Sequence, residues 1–127
     1  MNPPTMPHGI IIFAHGSRDP QWRLPVEAVA AQITHREPAA LVCCAYLELC
    51  QPTLLDAAAN LIALGAGELT VFPLFLGVGK HAREDLPKLM AEIRAMHPDI
   101  GVKLLPTAGE NPALIALLAR MALAESP

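Results

Sequence analysis

Residues 9–19, GIIIFAHGSRD, constrain the fold of this chain more than any other stretch. Bulky apolar residues from Ile10 to Phe13 run into Ala14 and stop at His15-Gly16-Ser17. An unbroken apolar run closed by a glycine-containing polar turn reads as a buried strand ending in a loop. A strand with no polar face must be covered on both sides, as it is in a parallel sheet with helices above and below. His15 then stands just past the carboxyl end of that strand, the edge at which open α/β sheets bind ligands.

The rest of the chain repeats the pattern. After the first loop, Asp19-Pro20 has the form of an N-cap with proline in the first turn. A helix is expected to about His35, with a kink or late start at Pro25 and Val26, Val29, Ala30 and Ile33 on one face. A second strand is expected over 41–47, LVCCAYL, apolar on both faces and so buried under helices, with Glu48 at its end. Thr53 and Asp56 match a capping box opening a helix over 54–64, which Gly65 closes. A third strand over 68–74 continues through Phe75 and Leu76 into the loop GVGKH at 77–81. The following helix is expected to start between His81 and Pro87 and end near His97, with Leu86, Leu89, Met90 and Ile93 as its core stripe. A fourth strand over 101–105 and a last helix, capped by Asn111-Pro112 and running to about 124, complete the alternation. Leu114, Ile115, Leu118 and Met121 are expected to face inward.

Four strand–helix units with short right-handed crossovers predict a single α/β domain. It is a flavodoxin-like three-layer sandwich with a four-stranded parallel sheet in the order 2-1-3-4. The length of 127 residues suits one domain, over 9–125, with residues 1–8 as a mobile N-terminal tail. With 53% hydrophobic residues, a core needs no disulfide or structural metal. A net charge of −3 without a Lys/Arg cluster argues against nucleic-acid binding, which depends on neutralising phosphates. Cys43, Cys44 and Cys50 form no disulfide framework and suit a reducing cytoplasm. No signal peptide and no transmembrane stretch is expected.

His15, Glu48 and His81 each follow a strand, and in the order 2-1-3-4 those three strands are neighbours. Taken singly, each is an ordinary loop residue. Together, two imidazoles and a carboxylate at one sheet edge suit a first-row divalent metal held in an incomplete shell, and imidazole accepts a proton near neutral pH. Elsewhere, His8 is expected to precede the fold, while His35 and His97 sit at helix C-termini, where they favour the dipole. Cys43 and Cys44, adjacent on a strand, point to opposite faces as small core residues. Arg18, Lys80 and Arg83 flank the histidine loops and could meet carboxylates of an acidic substrate.

These residues resemble the class II chelatases of the short CbiX type, the sirohydrochlorin chelatases. The likeness runs over about 9–122. It rests on HGSRDP at 15–20, YLELCQPTL at 46–54, VFPLFLGVGKH at 71–81 and RED-LP at 83–87. It implies a chelatase-like fold and insertion of a divalent metal, Co²⁺ or Fe²⁺, into sirohydrochlorin without ATP and without any further cofactor, in cobalamin or sirohaem biosynthesis. His15, His81 and Glu48 would be the catalytic and metal-binding residues. Backbone amides of the loops carrying Ser17, Gly77 and Gly79 would approach the ring's carboxylates. Family members often have two small residues before the second histidine; here the pair is Gly79-Lys80, and Lys80 would narrow the cleft or bind a substrate carboxylate. Longer chelatases resemble two copies of such a domain facing one another, so a symmetric homodimer is expected.

Two other readings use the same residues. A non-catalytic metal or tetrapyrrole carrier would bind without turnover. A hydrolase with Ser17 as nucleophile and His15 or His81 as base lacks the G-x-S-x-G elbow.

Overall fold

A computed structural model of the protein describes residues 6–125. Four parallel strands, β1 (His8–Ala14), β2 (Leu41–Tyr46), β3 (Glu68–Pro73) and β4 (Gly101–Leu104), form one sheet in the order β2-β1-β3-β4. The helices are α1 (Leu24–Arg36), α2 (Leu54–Ala63), α3 (Lys80–Met96) and α4 (Pro112–Ala122). Alternation along β1 divides its side chains between two cores. Ile11 and Phe13 join Leu54, Ala57 and Leu61 of α2 and Leu86, Met90 and Ile93 of α3. Ile12 and Ala14 join Val26 of α1 and Tyr46 on the opposite face.

The local signals act as expected at most helix ends. The Asp19 carboxylate accepts from the Gln21 N–H, and Thr53 Oγ1 accepts from the Asp56 N–H. Asn111 Oδ1 accepts from the Ala113 N–H. Gly65 ends α2 at φ +111°, a backbone region that disfavours side chains. Pro25 produces the late start: residues Pro20–Arg23 form a short 3-10 turn, and α1 begins at Leu24 with proline in its first turn.

Four expectations need correction. His8 belongs to β1 rather than to a tail, because its ring meets Thr70 and Glu68 on the neighbouring strand; residues 1–5 of the expected tail lie outside the described residues. β2 is an edge strand, so Leu41–Cys44 are only half-buried. α3 begins at Lys80, one residue before the expected range of 81–87, and accommodates Pro87 in its interior. α4 has no buried residue. Leu114 and Leu118 are half-buried, whereas Ile115 and Met121 are 50% and 63% exposed. α4 rests mainly on the short turn Ala108–Glu110. An apolar cavity of about 400 Å³, lined by Val29, Phe72, Leu74, Leu105 and Leu114 among others, lies between α1, β3 and α4.

Candidate functional site at the carboxyl edge of the sheet

The β1–β2 pairing continues past the strand ends. The Leu47 N–H donates to the Ala14 carbonyl at 2.9 Å, and the Glu48 N–H donates to the His15 carbonyl at 3.1 Å. His15 and Glu48 are therefore fixed side by side by backbone, and Nε2 of His15 lies 2.9 Å from Oε1 of Glu48. Gly16 makes this possible. Its φ is +107°, and a Cβ there would run into the Glu48 carbonyl oxygen. Leu49 then adopts a left-handed backbone, φ 69°, and turns the chain away directly after Glu48; such a conformation costs a non-glycine residue about 1–2 kcal/mol.

The opposite wall comes from the start of α3. Gly79 is its N-cap and supplies no side-chain hydrogen bond. His81 and Asp85, one helical turn apart, share a face and line a cleft of about 240 Å³ together with His15, Leu47 and Glu48. Arg83 points elsewhere. With Leu76, Gly77, Val78, Thr107 and Glu110 it lines a neighbouring cleft of about 580 Å³. The first turns of α3 thus divide the carboxyl edge into an imidazole–carboxylate cleft and a second cleft with a single guanidinium. Among the described residues no three His, Cys, Asp or Glu side chains converge into a group able to enclose a metal. Glu48 is engaged by His15, and His81 stands on the facing wall. The site is two-walled and open.

Residues 9–124 match the CbiX family model. The chain belongs to the CbiX family. It is 32% identical over 107 residues to the sirohydrochlorin cobaltochelatase of Saccharolobus solfataricus, an alignment covering 80% of this chain and 82% of that protein. A crystal structure of a putative cobalamin biosynthesis CbiX protein from Marinobacter aquaeolei superposes with a TM-score of 0.78 at 32% identity, over 93% of this chain and 96% of that one. The sirohydrochlorin chelatase SirB from Bacillus subtilis subspecies spizizenii, solved in complex with cobalt, superposes with a TM-score of 0.76 at 25% identity. There 92% of this chain covers only 50% of SirB, so this CbiX chain spans half of that protein's length.

On this CbiX scaffold the sequence-predicted residues fall into separate groups. His15, Glu48 and His81 share one cleft. Gly77 and Arg83 share the next. A Cβ on Gly77 or Gly79 would meet no protein atom within 4 Å, so the space in front of both loop glycines is open. Lys80 is exposed at the first position of α3, and Arg18 is exposed in the β1–α1 loop. The Ser17 hydroxyl accepts from the Asp19 N–H at 3.1 Å, a local turn contact rather than a bond to either histidine. The histidine-activated serine of the hydrolase reading is therefore not assembled. Asp85 is the cleft residue that sequence reasoning missed. The available signal was its i, i+4 spacing from His81 on one helix. All three cysteines are free thiols. Burial, with neighbouring Cys44 adding to it, pushes the Cys43 thiol up to about 11, which marks it as structural rather than reactive.

Proposed function

We propose that this CbiX-family chain is a sirohydrochlorin chelatase that inserts a divalent metal into the macrocycle without ATP. The observation that carries the reading is the locked His15–Glu48 pair facing His81 across one open cleft. Metal insertion replaces two N–H protons of the ring by a cation. A productive site must therefore deliver a metal and accept protons at the same place. His15 and His81 supply borderline nitrogen donors suited to cobalt or iron, and neutral imidazole is also the proton acceptor. Glu48 fixes the His15 ring and can share its proton. An unfilled donor set favours release of the metal to the ring over retention.

The surroundings suit a flat, carboxylate-bearing substrate. Leu49 and Leu76 are 48% and 68% exposed beside the two walls, offering apolar contact to a macrocycle face. Arg18, Lys80 and Arg83 would meet peripheral carboxylates, together with loop backbone at Ser17, Gly77 and Gly79, the last two facing open space. Cobalt is the preferred metal, in cobalamin synthesis, on the strength of the cobaltochelatase relative; iron, in sirohaem synthesis, uses the same donors. The reading includes a homodimer. A second copy laid on the exposed apolar surface of α4 would cover Ile115 and Met121. It also places the protein in the cytoplasm, where three free thiols stay reduced; no helix among the described residues is long and apolar enough to cross a membrane.

The deciding experiment is an anaerobic absorbance assay with sirohydrochlorin and Co²⁺ or Fe²⁺ against a no-enzyme control. Accelerated loss of the free-macrocycle spectrum is expected, faster with Co²⁺. Tight macrocycle binding without acceleration would replace the enzyme by a carrier. The absence of both binding and insertion would remove the substrate assignment.

A further inference from the structure

The imidazole–carboxylate cleft holds two histidines and two carboxylates, and only one pair is joined. Glu48 contacts His15. Neither His81 nor Asp85 takes part in an ion pair among the described residues. Their positions are nonetheless matched. Both lie on α3 at i, i+4 and both line the cleft. Side chains so spaced have Cβ atoms about 5–6 Å apart, within reach of one rotamer change. The neighbouring acid is placed differently: Glu84 is exposed, whereas Asp85 is half-buried against the cleft. Helix electrostatics do not account for Asp85 either. α3 starts at Lys80 and has no acid in its first turn, and the dipole's attraction for a carboxylate fades beyond that turn.

We propose that Asp85 is the carboxylate partner of His81, a positioning residue that turns the imidazole so that its other nitrogen faces the metal. A histidine that binds a metal commonly donates its second ring N–H to a carboxylate, which fixes ring orientation and tautomer. The cleft then carries two equivalent donors on facing walls, His15 held by Glu48 and His81 held by Asp85. The proposal rests on the chelatase reading for the identity of the cation, but the pairing itself is testable with metal alone.

The experiment titrates Co²⁺ anaerobically into the full chain and follows the visible cobalt absorbance for the wild type, Asp85→Asn, His81→Ala and the double variant. Asp85→Asn is expected to weaken Co²⁺ binding by about tenfold or more and to alter the cobalt spectrum. In the His81→Ala background, where His15 and Glu48 still bind, the same substitution is expected to change affinity by less than about twofold, the mark of two residues acting as one. Asp85→Ser serves in the same way if the asparagine variant does not fold. Unchanged affinity in Asp85→Asn, or an equal loss with and without His81, overturns the pairing. Coupling in the titration without metal insertion by the wild type would support the pair while overturning the chelatase reading.

Discussion

The two walls of the cleft are built by different physics. The β1–β2 wall is rigid. Ladder hydrogen bonds run past the strand ends, Gly16 lets two loops touch, and the left-handed Leu49 turns the chain away after Glu48. The α3 wall is a helix N-terminus without a side-chain cap, reached through a loop whose glycines face open space. The His15–Glu48 contact is set by backbone geometry, whereas His81 and Asp85 depend on side-chain orientation at a helix start. On the proposed chelatase reading, a site that takes up a cation and surrenders it would gain from that asymmetry, one anchored imidazole keeping register while the other turned.

Several substitutions would break or sharpen the contrast. Removing a donor should have the largest effect: His15→Ala or His81→Ala is expected to lower metal insertion by about 10²–10⁴-fold with the far-UV spectrum unchanged, and wild-type turnover in either variant would remove the site. Next comes Gly16→Ala. It places a Cβ against the Glu48 carbonyl at positive φ and should cost about 2–4 kcal/mol in urea unfolding. Gly77→Ala meets open space on the other wall, and its stability should stay within about 0.5 kcal/mol of wild type; equal losses at the two glycines would erase the distinction between rigid and open walls. Glu48→Gln keeps the shape of the rigid wall but weakens its hold on His15, and kcat/KM for the metal should fall about 10–100-fold. The smallest effect concerns Cys43, whose thiol is raised from 9.0 to about 11. The unfolded thiol ionises first, so this contribution is intact below pH 9 and stability should decline as pH rises from there towards 11. Cys43→Ala should flatten that alkaline decline.

Much of this was legible because the signals were local. The apolar run ending at His15, the caps at Asp19, Thr53 and Asn111, and the strand–helix alternation give the layers and the order 2-1-3-4, since right-handed crossovers leave few alternatives. The same order places His15, Glu48 and His81 at neighbouring strand ends, so the site's edge could be read before its geometry. Leu114, Ile115, Leu118 and Met121 have the periodicity of a core helix, yet α4 buries none of its residues. Periodicity identifies which face is apolar, not what covers it. His8 was misplaced because its strand pairing depends on Glu68 and Thr70, sixty or more positions away.

The sequence by itself determined the architecture and the chemistry available at one edge of it, because hydrophobic period, capping residues and loop glycines act over a few residues. Only the tertiary structure decided that Glu48 contacts His15, that Arg83 faces a different cleft from His81, that Asp85 joins the histidines, and that α4 leaves its apolar face uncovered. Those outcomes depend on how loops from separate strands meet and on the direction in which each turn of α3 presents its side chains, and no local preference encodes either.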